Sequence, residues 1–210
     1  MAVFDLEQLD ARRAYGLLAR VVLPRPIALV SSMDSDGVGN LAPFSFFNLG
    51  GMNPPSVMFC PLNDRQGVNK DTVRNIRQTG EYTISLVTRG MADKMNEASW
   101  TYPPGVDEFD QVGFTRAPSI KVAPGRVAES PVSMELRLFQ LVQHGEGPLA
   151  SNYIIGEVVQ LHVDDRLLRD GLPDHRQLDL IGRLGGDDYC HVAGDTIFPL
   201  SRPQGPTQDN

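Results

Sequence analysis

The chain has 210 residues and a mass of 23.1 kDa, which allows one large domain or at most two small ones. Apolar residues make up 41% and charged residues 21%, an ordinary globular balance that excludes general disorder. With 19 Lys and Arg against 26 Asp and Glu, the net charge is −7 and the pI about 5.0. A chain with this balance is a poor candidate for wrapping nucleic acid, which needs a basic stripe, and anionic membrane surfaces repel it, while a local basic pocket for one small anion stays open.

The stretch Asp5 to Arg20 reads as a first helix. Pro26 to Ser32 is a short apolar run ending in small polar residues, a buried strand. Asp34-Ser35-Asp36-Gly37 is turn chemistry. Leu41 to Leu49 is a Phe-rich strand, and Ser56 to Cys60 another. Asp71 to Thr79 carries Val73 and Ile76 at helical spacing, with Asn69 or Asp71 as N-cap and Gly80 as the stop. Glu81 to Val87 is β-branched. Met91, Met95 and Ala98 mark a further helix.

Val132, Met134, Leu136 and Leu138 alternate with polar residues, and Val159, Leu161 and Val163 do the same. These are half-buried antiparallel strands, which the loop His144 to Pro148 can join as a hairpin. Asp174 to Ile181 reads as a short helix. Tyr189 to Val192 and Thr196 to Leu200 read as a last strand pair. Six to eight strands with three or four small helices predict a closed β-barrel with helical decoration. The domain is expected over 1–203, with 204–210 as a flexible tail.

Most catalytic signatures fail on their own terms. Gly37-Val38-Gly39-Asn40-Leu41-Ala42 matches the dinucleotide fingerprint, but Pro43 and β-like residues follow where a helix must open. Asp34 to Gly37 lacks the distal bidentate Glu of a calcium loop. His144, His162, His175 and His191 show no metal spacing, and no G-x-S-x-G elbow exists. Cys60 and Cys190 form neither a disulfide framework nor a Cys-x-x-Cys pair. Cys60, closing an apolar strand, reads as a small buried hydrophobe. The first residues lack a basic segment followed by an apolar one, and no apolar run approaches the roughly 20 residues of a membrane span. A soluble, cytoplasmic protein is expected.

Two segments carry more. At Val68 to Ile76 a loop enters a helix beginning Lys70-Asp71-Thr72, where free amides and the helix dipole favour an anion. Capping by Asp71 beside a solvated Lys70 explains the same residues, and Arg65 and Arg74 add positive charge nearby. Asn40 to Asn48 combines small residues, aromatics and amides, which suits a flat heterocycle lying along a strand. A strand packing three Phe into a core accounts for it too, and on composition alone that is the reading to prefer.

The order of these motifs resembles one family. Arg25 to Ser32, Gly37 to Asn40, Leu41-Ala42-Pro43-Phe44-Ser45-Phe46-Phe47, Asn53-Pro54-Pro55 and Lys70 to Ile76 resemble the flavin reductase-like FMN-binding split barrels. The flavoredoxin-type branch is the most similar. Tyr102 to Phe109, Gly182 to Gly186 and Tyr189 fit that branch as well. The resemblance runs from about residue 15 to about 203.

It implies a mainly β fold, a six-stranded antiparallel split barrel, in a homodimer that holds FMN near its interface. It implies the phosphate near Lys70, Asp71, Thr72 and Asn75. The ring would lie along Ser31, Ser32 and Ala42 to Phe47 (Ala42, Pro43, Phe44, Ser45, Phe46, Phe47), with Arg25 among the cofactor contacts and Asn40 and Ser45 as polar ones. Cys60 to Asn63 would line the ribityl chain. Trp100, Arg183 and Tyr189 are candidate lid or substrate contacts.

The implied chemistry is hydride transfer from NADH or NADPH to flavin N5, with no catalytic residue beyond the cofactor and no metal. A small molecule, a free flavin or a partner monooxygenase would accept the electrons. Two other readings are an FMN-binding electron carrier without NAD(P)H activity, and a non-enzymatic binder of another planar ligand such as heme, ligated by one of the histidines.

Overall fold

The computed structural model describes residues 1–103 and 105–203; the tail expected at 204–210 lies outside them. The sequence forms α1 (Ala11–Leu18), β1 (Arg25–Pro26), β2 (Ala28–Met33), β3 (Gly39–Phe44), β4 (Phe47–Met52), β5 (Pro55–Phe59), α2 (Asp71–Thr79) and β6 (Glu81–Leu86). It continues through α3 (Ala92–Glu97), α4 (Glu108–Val112), β7 (Arg116–Ala117), β8 (Arg126–Val127), β9 (Val132–His144) and β10 (Ser151–Val163). The last elements are β11 (Leu168–Arg169), β12 (Leu172–Pro173), β13 (Ile181–Arg183) and β14 (Tyr189–His191).

The main sheet has seven strands, ordered β3-β2-β6-β9-β10-β5-β4, where the resemblance implied six and the strand pattern a closed barrel. The difference lies at Ser45 and Phe46. The expected strand from Leu41 to Leu49 breaks there into β3 and β4, which take opposite edges of the sheet. Two residues bridge the two edges, so the sheet must curl until they approach. The Cys60 amide donates to the Phe46 carbonyl at 2.8 Å and fixes that corner. No ladder joins β3 to β4 among the described residues, so the barrel is split.

Both faces of β2 are covered. Ala28 and Val30 point inward with Phe44, Phe59, Tyr82, Ile84, Leu136 and Ile154. Helix α2 plugs this interior with Val73 and Ile76, each fully buried and one turn apart. Burying two such side chains contributes roughly 1.5–3 kcal/mol each. The alternate residue Leu29 points the other way, into a second core with Leu41, Met91, Met95, Phe109 and Phe114 under α3 and α4. Gly80 ends α2 in the left-handed conformation, φ 73°, as expected of a glycine stop.

Other expectations needed correction. The first helix starts later, because Asp10 caps it by accepting from the Arg13 amide at 2.9 Å; residues 6–8 form a separate 3-10 turn. Helix α2 has neither Asn69 nor Asp71 as its cap. Lys70 takes that position and offers no side-chain bond. Asp174 to Ile181 is not helical: the Asp174 carboxylate accepts from the Arg176 amide and the Gln177 side chain, a local turn. Thr196 to Leu200 forms no strand; β14 pairs with β13, which pairs with β1. The segment Gly37 to Ala42 is turn and strand with no helix, as the rejected dinucleotide fingerprint requires.

Candidate functional site

Three elements converge where β2 ends, β3 begins and α2 starts. Ser32 and Asn40 are cross-strand partners. The Asn40 side-chain amide donates to Thr72 Oγ1 at 2.9 Å and to Ser32 Oγ at 3.5 Å, and the Asn75 amide donates to Ser32 Oγ at 3.3 Å. All four residues are buried, where polar groups must be satisfied internally. Ser32, Asn40, Thr72 and Asn75 therefore act as mortar that fixes the start of α2 against the sheet. Ser31 lies on the opposite face of β2 from Ser32, by the alternation of the strand.

Beyond this cluster the start of α2 is open. The amides of Asp71 and Thr72 donate to no acceptor among the described contacts. Asp71 is occupied by an ion pair with Arg74. The Lys70 ammonium sits 5.7 Å from the centre of the Phe44 ring. Burial around that ammonium lowers its pKa, and Asp64 acts in the opposite sense. Two free amides and one unpaired cation make an anion site of modest size.

From there a strip runs along the β3 edge. Ala42, Pro43, Ser45, Phe46 and Phe47 are half-buried, while Phe44 turns into the core. At about 3.3 Å per residue, Asn40 to Ser45 spans about 16 Å. The edge is guarded against strand addition in two ways. Pro43 has no amide to offer. The Leu41 amide donates to Glu108 Oε2 at 2.8 Å. Burial raises the Glu108 pKa, the Leu41 amide opposes this, and Asp107 and Asp71 add to it.

At the far end stands Arg25, 6% exposed. It donates to the carbonyls of Ala19 (2.6 Å), Val22 (3.1 Å) and Leu184 (2.8 Å), and to Ser45 Oγ at 3.4 Å. Its guanidinium lies 5.9 Å from the Phe46 ring, which also meets Tyr15 at 6.1 Å.

The remaining expected residues are Cys60, Asn63, Arg183, Tyr189 and Trp100. Cys60 is buried, and burial pushes its thiol pKa up while Ser151 and the Asn152 amide pull it down. A raised, buried thiol is not a nucleophile. The Asn63 side chain is fully engaged: it donates to the carbonyls of Gly67 (3.1 Å) and Gly147 (3.2 Å), and accepts from Asn152 at 2.9 Å. It clasps two loops together.

Arg183 bonds to the Tyr189 hydroxyl and stacks on its ring at 4.5 Å. Both line a cavity of about 400 Å³ with Arg89, Met95 and His191. Trp100 is 74% exposed beyond α3, and no hydrogen bond or ring contact ties it to the strip. His162 and His191 are each bonded to a carboxylate, Glu135 and Asp179. Sequence reasoning missed Glu108, Tyr15 and Asn152. Each acts on a partner at least 31 residues away in the chain, and no local pattern marks such a contact.

Comparison with known proteins fits this geometry. The model of the flavin reductase like domain matches residues 19–178. An uncharacterized protein of Deinococcus radiodurans is 39% identical over 207 residues, covering 95% of this chain and 88% of its own. The structure of nitrilotriacetate monooxygenase component B from Bacillus cereus superposes with a TM-score of 0.89 at 30% identity, covering 95% of this chain and 98% of that one. A split-barrel protein from Shewanella frigidimarina described as a flavin reductase superposes with a TM-score of 0.81 at 25% identity, covering 97% and 100%.

Proposed function

The chain belongs to the flavin reductase-like family, and from that premise we propose that it is an FMN-dependent oxidoreductase taking hydride from NADH or NADPH. The observation that carries the cofactor assignment is the pairing of an open anion site with an accessible strip. The Asp71 and Thr72 amides and the Lys70 ammonium would hold the phosphate. The flat ring would lie along Ala42 to Phe47, with Ser45 as a polar contact. Ser32, Asn40, Thr72 and Asn75 position the helix start, and Asn63 shapes the loop beside the ribityl chain.

FMN, when bound, supplies the hydride-accepting ring. The protein's own residues would bind and orient it, and the half-buried Phe46 and Phe47 would exclude water from one side. A phosphate contact by one cation and two amides is charge-assisted, about 1.5–3 kcal/mol per bond. Nothing in this assignment needs a general base. The family and the split barrel support a flavin-related oxidoreductase.

The nitrilotriacetate monooxygenase neighbour is one component of a monooxygenase. By analogy, the electron acceptor proposed here is a flavin used by a partner monooxygenase. A homodimer is proposed as the working form. Exposed Leu49, Met52, Phe139 and Val142 on β4 and β9 offer apolar surface for it.

The test is the visible spectrum of the freshly purified protein, with chromatography of what heat releases, followed by NADH and NADPH oxidation. A yellow protein that releases FMN and oxidises either nucleotide supports the proposal. A flavin-loaded protein inert to both nucleotides would be an electron carrier instead. A colourless protein that takes up no added FMN would refute the cofactor assignment.

A further inference from the structure

A buried charge is normally met by an opposite charge. Arg25 is buried, and no carboxylate lies within ion-pair distance of it among the described residues. Three backbone carbonyls and one hydroxyl hold the guanidinium in place. They orient it without cancelling its charge. Its direct cross-strand partner is Arg183, and like charges so placed repel. Burial lowers the Arg25 pKa, Tyr15 raises it, and Arg183 lowers it again. Arg183 has Asp187 at 3.5 Å as its counter-ion, so Arg25 is left as the unneutralised member of the pair. Its charge faces Ser45 and Phe46, at the ring end of the strip.

We infer that Arg25 is the charge partner of the anionic, two-electron-reduced flavin ring, so that the protein binds reduced FMN more tightly than oxidised FMN. This rests on the FMN assignment above. The electron balance is simple. A hydride leaves the nicotinamide C4 and forms a bond to flavin N5, and the donor departs as the oxidised pyridinium. The electron pair leaves one negative charge spread over N1 and O2, and no proton is taken up. The oxidised ring is neutral and gains little from a buried cation. A ligand state favoured by differential contacts is the state retained. The bound FMN is therefore held more tightly when reduced than when oxidised, and it passes its electrons from the site to the acceptor flavin, which is the flavin that leaves.

The test is equilibrium dialysis of wild type, Arg25→Gln and Arg25→Lys against oxidised FMN and, anaerobically, dithionite-reduced FMN. Wild type should favour the reduced form by about tenfold or more, Arg25→Gln should lose that preference, and Arg25→Lys should keep part of it. Equal affinity of wild type for both forms, or an undiminished preference in Arg25→Gln, would overturn the inference alone. Failure of wild type to bind either form would overturn the FMN assignment and the inference with it.

Because Arg25 also anchors three carbonyls, a second measurement uses wild type only. Bound reduced FMN should keep its anionic absorption about one pH unit or more below the point where free reduced FMN loses it. Tyr15, Arg183 and Ser45 are the groups facing the guanidinium in this measurement. Loss at the same pH as free reduced FMN would contradict the assigned role.

Discussion

The Asn40 side-chain amide donates to Thr72 Oγ1 at 2.9 Å, tying the first residues of β3 to the first turn of α2. This bond joins positions 32 apart in the chain and sets where the helix start points. Asn40→Ala leaves a buried threonine hydroxyl short of a donor, a loss of about 1–3 kcal/mol in stability. FMN affinity should fall severalfold as the helix start loosens. Urea denaturation and a flavin titration check the two effects separately; an unchanged midpoint would show the bond to be incidental.

Tyr82 and Gly156 meet inside the barrel. A Cβ at position 156 would overlap the Tyr82 hydroxyl, so only glycine fits there. That hydroxyl is fully buried without a partner. Gly156→Ala should therefore cost about 2 kcal/mol or more, as overpacking does. Tyr82→Phe should be neutral or stabilise by up to about 1 kcal/mol, since an unpaired buried group is removed. Thermal unfolding of the two variants reads both signs.

Glu135 is fully buried and accepts from the Ile120 amide at 2.8 Å, the Lys121 amide and His162 Nε2 at 2.6 Å. Burial opposes its ionisation, but these donors outweigh burial and hold the carboxyl below its ordinary pKa. A depressed carboxylate stabilises the fold above its unfolded pKa, and that contribution is lost as pH falls through the folded one. Wild type should lose stability below about pH 4, and Glu135→Gln should flatten that dependence while costing about 2 kcal/mol at neutral pH. Denaturation midpoints across that range decide it.

Glu108 behaves in the opposite sense. Its pKa is raised, chiefly by burial, so its contribution is fully present below the ordinary carboxylate pKa and is lost as pH rises from there through the raised folded one. Glu108→Gln keeps an acceptor for the Leu41 amide and should match or exceed wild-type stability at about pH 8. Glu108→Ala strands that amide and should cost about 1–3 kcal/mol. Equal stability of the two variants would argue against an edge-capping role.

The sequence made the periodic parts of this fold legible. The alternation at Val132 to Leu138 and at Val159 to Val163 marks β9 and β10, and Val73, Ile76 and Gly80 mark α2 and its end. The break at Ser45 and Phe46 was hidden, because a Phe-rich run reads as one strand unless its two halves are known to lie on opposite edges. Asp174 to Ile181, read as a short helix, is none because the Asp174 side chain closes a local turn. At the site, Lys70 and the helix start were visible as local chemistry. The burial of Thr72 and the engagement of Asn63 were not, since both depend on partners more than 30 residues away.

The most direct test of the proposed cofactor site compares FMN with riboflavin, which lacks only the phosphate. Wild type should bind FMN about 10- to 100-fold more tightly, and Lys70→Ala should remove most of that difference while leaving riboflavin affinity unchanged. Equal affinity of wild type for the two, or an undiminished difference in Lys70→Ala, would contradict the assignment of the phosphate to the start of α2.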